Sequence, residues 1–88
     1  GQGGSLSKQP ELVVYSRQGC HLCEDMLAAL ADFQNELGYR YSVYDVDSDS
    51  ALFEQYNTLV PVVALQGREL MRYFFELETL KKALTRPA

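Results

Sequence analysis

An α/β fold in the order β-α-β-α-β-β-α, with a four-stranded mixed sheet and helices on both faces, is the architecture this sequence predicts. Three observations carry it. Two short apolar runs, Leu12-Val13-Val14-Tyr15 and Val62-Val63-Ala64-Leu65, read as core strands. Between them Met26, Leu27, Leu30, Phe33 and Leu37 recur at three- and four-residue spacing, the stripe of one long amphipathic helix. After the second run, Gln66-Gly67 reads as a tight hairpin turn, which makes the last two strands antiparallel.

With 88 residues, 47% of them hydrophobic, the chain fits one compact domain and is too short for two independent cores. Residues 1–10, Gly-rich up to Pro10, are expected to be a flexible tail, part of it a remnant of expression, with the domain over 11–88. No apolar run approaches the roughly 18 residues a membrane span needs, and the opening lacks a signal peptide's apolar centre. A soluble protein with no membrane partner is expected. The net charge of −4 comes from 12 acidic and 8 basic residues with no basic run, so nucleic acid is not an expected partner. Two cysteines cannot staple a secreted framework, and a lone Cys-x-x-Cys beside a βα pattern points to redox chemistry in a reducing cytoplasm.

In chain order, Leu12 to Ser16 is apolar on successive positions, the pattern of a central strand covered on both faces. Arg17-Gln18-Gly19 turns the chain into the long helix, and Gly38 closes it as a left-handed cap. Tyr41 to Val46 favours a strand, and a right-handed crossover through the helix makes it parallel to the first. Asp45, Asp47 and Asp49 read as a solvated capping loop, so a helix begins near Ser50 with Leu52, Phe53 and Tyr56 as its buried side. Asn57 is placed to end that helix in a left-handed conformation, before Leu59-Val60-Pro61 leads into Val62 to Leu65. Glu69 to about Tyr73 is the returning strand, and Leu77, Leu80 and Leu84 share one face of a final helix. Tyr39, Tyr41, Tyr44, Tyr73, Phe74 and Phe75 read first as sheet or strand-end packing, the last three with a partner surface as the alternative.

The chemistry lies at Cys20-His21-Leu22-Cys23. Residues three apart on a helix face have β-carbons about 5–6 Å apart, so the two sulfurs can join and part without unfolding anything. At the helix start, unpaired N–H groups and the macrodipole favour an anion. Cys20 is therefore the expected nucleophile, and Cys23, one turn further in, the resolving thiol. His21 and Arg17 are the candidates for tuning the pair, His21 if it is protonated and Arg17 by its charge or by holding a substrate carboxylate. For each, an uninvolved, solvated residue is the alternative. A zinc site would want four protein ligands; Cys20, Cys23 and His21 fall short within one chain, so no metal and no cofactor are expected. Pro61, before a core strand, is where a cis peptide bond is expected.

At these residues the chain resembles the glutaredoxin branch of the thioredoxin superfamily, and more narrowly its small bacterial glutaredoxin-like members. Tyr15-Ser16-Arg17-Gln18-Gly19-Cys20-His21-Leu22-Cys23 is similar to the family's strand end, basic residue, Gly and Cys-x-x-Cys, and Val60-Pro61 to its Val with a cis-proline. The resemblance runs from about Leu12 to Leu84. It implies a thioredoxin-like (glutaredoxin-like) fold and substrate binding at Val60 and Pro61, where backbone groups would pair with an extended substrate chain. Two departures stand out. Glutathione-using members carry Gly-Gly and an acid after the hairpin, whereas this chain has Met71-Arg72-Tyr73-Phe74-Phe75, which leaves glutathione doubtful as a partner. Val14 stands where thioredoxins bury an acid beneath the pair, and the chain has no Trp.

The expected function is a thiol–disulfide oxidoreductase, a cytoplasmic monomer that passes two electrons between Cys20/Cys23 and a disulfide-containing protein or low-molecular-weight thiol. The alternative is a protein-binding module whose dithiol is idle or regulatory.

Overall fold

The computed structural model describes residues 9–85. The tail expected over 1–10 therefore lies, up to residue 8, outside the described residues, as do residues 86–88. The elements are β1 (Glu11–Ser16), α1 (His21–Leu37), β2 (Arg40–Asp45), a 3-10 turn (Val46–Ser48), α2 (Ser50–Tyr56), β3 (Val62–Leu65), β4 (Arg68–Arg72) and α3 (Leu77–Thr85). The sheet order is β2-β1-β3-β4, with β1 and β2 parallel and both other pairings antiparallel. This is the mixed sheet expected from one long crossover and one tight turn.

Side chains alternate across a strand, so Leu12 and Val14 of β1 share a face with their β3 partners Leu65 and Val63. On that face Met26 and Leu30 of α1, Leu80 of α3, Met71 and Tyr39 complete the main core. Each such side chain, taken fully out of water, contributes roughly 1.5–3 kcal/mol. Phe75, after β4, adds a ring stacked on Phe33 at a centroid distance of 5.6 Å. Tyr15 faces the other way, and there α2 covers it: the Tyr56 ring stacks on it at 4.3 Å. Helices thus lie on both faces, α1 and α3 on one and α2 on the other.

Local chemistry sets the ends of these elements. Gly38 has φ of 73° and its N–H donates to Gln34 O at 2.9 Å, the left-handed cap that ends α1. Asp49 caps α2 by accepting from the N–H groups of Ala51 and Leu52. Gln66 and Gly67 take φ of 53° and 80°, the two positive values a type I′ hairpin turn needs. Opposite the step from Val63 to Ala64 the β4 register jumps from Met71 to Glu69, leaving Leu70 as the extra residue of a bulge.

Five local expectations are corrected. The second face of β1 is covered only in part, because α2 has only 7 residues and screens Tyr15 while Val13 stays half-buried. β2 ends at Asp45; Val46 is fully buried but belongs to the following 3-10 turn. Phe53 is exposed, not part of the α2 underside, and Asn57 keeps right-handed helical angles, φ −54° and ψ −35°. β4 spans Arg68–Arg72, so Tyr73 lies past its end.

Candidate functional site

The turn Arg17-Gln18-Gly19 joins the end of β1 to α1, and Gly19 takes φ of 72° there, a conformation costly for any residue with a β-carbon. Cys20 follows in extended conformation as the N-cap of α1. Its carbonyl accepts from Glu24 N–H at 3.0 Å, the first bond of the helix, and its Sγ accepts from Cys23 N–H at 3.1 Å. The sulfur thus occupies the capping role usually held by a Ser or Asp oxygen. Such an acceptor binds its donor more strongly as an anion.

The two thiols differ in surroundings. Cys20 is partly exposed, whereas Cys23 is 2% exposed and packs with Val46 and Val60. Burial, followed by the hydrogen bond with Cys20, pushes the Cys23 thiol up to about 12; the Arg17 backbone and charge act in the opposite direction without reversing it. Tyr15, Leu52 and Tyr56 pack around this small cluster. Burial, and then Tyr56 beside it, raise the Tyr15 phenol above its ordinary value.

Arg17 is bound at three points. Its Nε donates to Asp47 Oδ2 at 3.1 Å, its Nη1 donates to the Asn57 carbonyl at 3.2 Å, and its guanidinium lies over the Phe53 ring, 5.5 Å from the centroid. This explains the exposed Phe53, whose ring face serves a cation instead of the core. His21, the first residue of α1, is exposed. The Val60–Pro61 peptide bond is cis. Pro61 is fully buried, its carbonyl accepts from Tyr73 N–H at 2.8 Å, and Val60 precedes the first paired residue of β3.

The structure therefore gathers Cys20, Cys23 and Val60 into one cluster, with Pro61 adjoining it and Arg17 beside it, while His21 faces outward. Sequence reasoning missed Val46, Tyr15 and Tyr56 as its packing partners, although the Leu52-Tyr56 spacing carried a signal. It also missed Asp47 and Asn57 as the anchors of Arg17. No local pattern announces a pair so far apart.

Comparison with known proteins bears on the family and the fold. The family described as "Glutaredoxin-like domain (DUF836)" matches residues 11–85. Protein Rv0508 of Mycobacterium tuberculosis is 32% identical over 66 residues, which cover 69% of this chain and 68% of that protein. The solution structure of Ne2328 from Nitrosomonas europaea superposes with a TM-score of 0.79 at 35% identity, covering 89% of this chain and 94% of that one. The crystal structure of XcR50 from X. campestris follows with a TM-score of 0.66 at 35% identity over 83% and 93% of the two chains. Thioredoxin from Fasciola hepatica, at 21% identity and a TM-score of 0.58 over 92% of this chain and 84% of its own, shares the fold. With its matched span running from the first strand to the last helix, the chain belongs to the glutaredoxin-like domain family and has the thioredoxin-like fold.

Proposed function

We propose that this protein is a thiol–disulfide oxidoreductase in which Cys20 attacks and Cys23 resolves. The observation that carries the reading is the asymmetry of the pair: a partly exposed Sγ capping a 17-residue helix, beside a buried thiol pushed up to about 12. Cys20 thiolate attacks a partner disulfide, forming a mixed disulfide and expelling one partner sulfur. Cys23, once deprotonated, attacks Cys20 Sγ and releases the second partner sulfur, so the partner gains two electrons and the dithiol becomes a disulfide. Arg17 tunes the pair through its charge and backbone. His21 stands at the rim, where a substrate would meet it.

Val60, ahead of the β3 ladder and packed with the dithiol cluster, supports an extended polypeptide pairing there by strand addition, with Pro61 as its floor. The substrate is accordingly a disulfide-bonded protein or a low-molecular-weight disulfide. Glutathione fits poorly, since Met71-Arg72-Tyr73-Phe74-Phe75 corresponds to the stretch in which glutathione-using members carry Gly-Gly and an acidic residue. The reducing cytoplasm is the compartment this chemistry suits, and a monomer suffices for it. No described helix is long and apolar enough to cross a membrane.

Trapping tests the assignment. Incubated with a disulfide-bonded test protein, the Cys23→Ser chain should accumulate a mixed disulfide that thiol reductant reverses, and the Cys20→Ser chain should not. Equal trapping by both variants, or by neither, defeats the proposal and favours a binding module with an idle dithiol.

A further inference from the structure

Resolution by Cys23 poses a proton problem. A thiol held up to about 12 by burial carries almost no thiolate at neutral pH, so its attack needs a nearby base. The side chains packed with Cys23 include no carboxylate among the described residues: Val46 and Val60 are buried beside it, with Tyr15, Leu52 and Tyr56 around them. Cys23 also lines a groove of about 390 Å³, between the end of β1, the start of α1 and the edge strand β2. Ser16, Glu24, Leu27, Val43 and Asp45 line the same groove. A water molecule takes up about 30 Å³ of liquid, so water can stand between these groups.

We propose that Asp45 receives the proton that Cys23 must lose before it attacks, across the groove that both residues line. The inference rests on the oxidoreductase reading and assigns its missing base. Asp45 is paired with Ser16 in the parallel register of β1 and β2, which sets it at the strand end beside the buried Ser16. It is half-buried and held in place, because its Oδ1 accepts from Asp47 N–H at 2.9 Å. Its second oxygen and the remaining lone pairs are available to a thiol or a relaying water. Glu24, by contrast, is exposed on the first turn of α1 and has no comparable anchor. The other charged groups around Asp45 are Arg17 in the β1–α1 turn, which lines the groove, and Asp47, which Arg17 neutralises at 3.1 Å.

In the step, the Cys23 S–H proton passes to the Asp45 carboxylate, and the Cys23 thiolate attacks Cys20 Sγ. The Cys20–Cys23 bond forms, the mixed disulfide breaks, and its electron pair leaves on the partner sulfur. Asp45 then returns the proton to solvent. A thiol reductant restores the dithiol before another turn.

One equivalent of a chromogenic aryl disulfide, mixed with the reduced chain, reads both attacks. The first release of aryl thiolate reports Cys20, and the second reports Cys23. In Asp45→Asn the second phase should slow about a hundredfold, the low end of general-base effects, and its rate should climb steadily with pH instead of levelling. The first phase should be unchanged, which also shows that the variant is folded; the amide oxygen can still accept from Asp47 N–H. Asp45→Glu should recover most of the lost rate. An unchanged second phase in Asp45→Asn, or equal slowing in Glu24→Gln, overturns the assignment. Absence of the first phase in the unsubstituted chain overturns the oxidoreductase reading itself, a separate failure.

Discussion

Arg17 and Asp47, 30 residues apart in sequence, meet with Nε and Oδ2 3.1 Å apart and tie the turn before Cys20 to the segment that leads into α2. The pair is about 40% exposed on both sides, 38% and 41%, so its own contribution is at most about 1 kcal/mol. The cation over Phe53 adds roughly 0.5–1 kcal/mol, and the bond to the Asn57 carbonyl about as much. Arg17→Ala should therefore cost about 2 kcal/mol in urea unfolding, and Asp47→Ala under about 1 kcal/mol. Arg17→Lys should recover less than half of the loss, since an ammonium cannot serve three partners in a fixed fork. Added salt should narrow the gap between the parent and Asp47→Ala.

Cys23 makes stability depend on alkaline pH. Its folded pKa of about 12 lies above the ordinary thiol value of 9.0, so the folded state retains the proton longer than the unfolded one. The stabilisation from the buried neutral thiol is complete below about pH 9 and is lost as pH rises toward about 12. The steepest slope for one group is about 1.4 kcal/mol per pH unit. Denaturant titrations of the reduced chain should show the decline begin near pH 9, and Cys23→Ser should remove that part of it. Alkylation gives a second reading at neutral pH: in Cys20→Ser the remaining thiol should react at least about a hundredfold more slowly in the folded chain than in urea.

What could be read from the sequence depended on whether the cause was local. Gly38, Gln66-Gly67, Asp49 and the Cys20-Cys23 spacing act within a turn or two, and each stands where its chemistry places it. The α2 stripe alone points Phe53 inward, while Arg17, far away in the chain, claims its ring. The apolar run in β1 could not reveal that its second cover would be a helix of only 7 residues. Tyr73 carries no mark of its φ of 72°, which tertiary contacts impose on a residue that does not prefer it. The groove joining Asp45 to Cys23 is likewise a product of assembly, since its walls come from β1, α1 and β2.

Tyr39 is 1% exposed, and its hydroxyl donates to the Leu30 carbonyl in α1. Burial, with Tyr41 beside it, raises its pKa from 10.0 to about 12. Tyr39→Phe should cost about 1–2 kcal/mol, because removal of the donor leaves a buried carbonyl without that partner. The phenol's own share of stability is whole below about pH 10 and lost toward about 12, so the variant should also show a shallower alkaline decline over that interval. A second-stage decline that is the same in Tyr39→Phe and the parent would place its cause elsewhere.

Tyr73 follows β4 with φ of 72°, the Phe74 N–H donating to the Arg72 carbonyl at 2.8 Å. This tight turn costs a residue with a β-carbon about 1–2 kcal/mol. Its backbone N–H is committed to Pro61 O, and its hydroxyl reaches the Thr58 carbonyl at 3.3 Å, so the ring spans the segment just before the cis-proline. Tyr73→Gly relieves the strain while removing partly buried ring surface, and the two effects should leave stability within about 1 kcal/mol of the parent. Its effect on exchange should be larger. With backbone exposed where a side chain stood, reduction of a small glutathione mixed disulfide should speed up about tenfold, roughly 1.4 kcal/mol in the barrier. Tyr73→Ala keeps a β-carbon in the strained conformation and should gain less. Equal rates in Tyr73→Gly and the parent would mean that the ring does not limit access of glutathione to the dithiol.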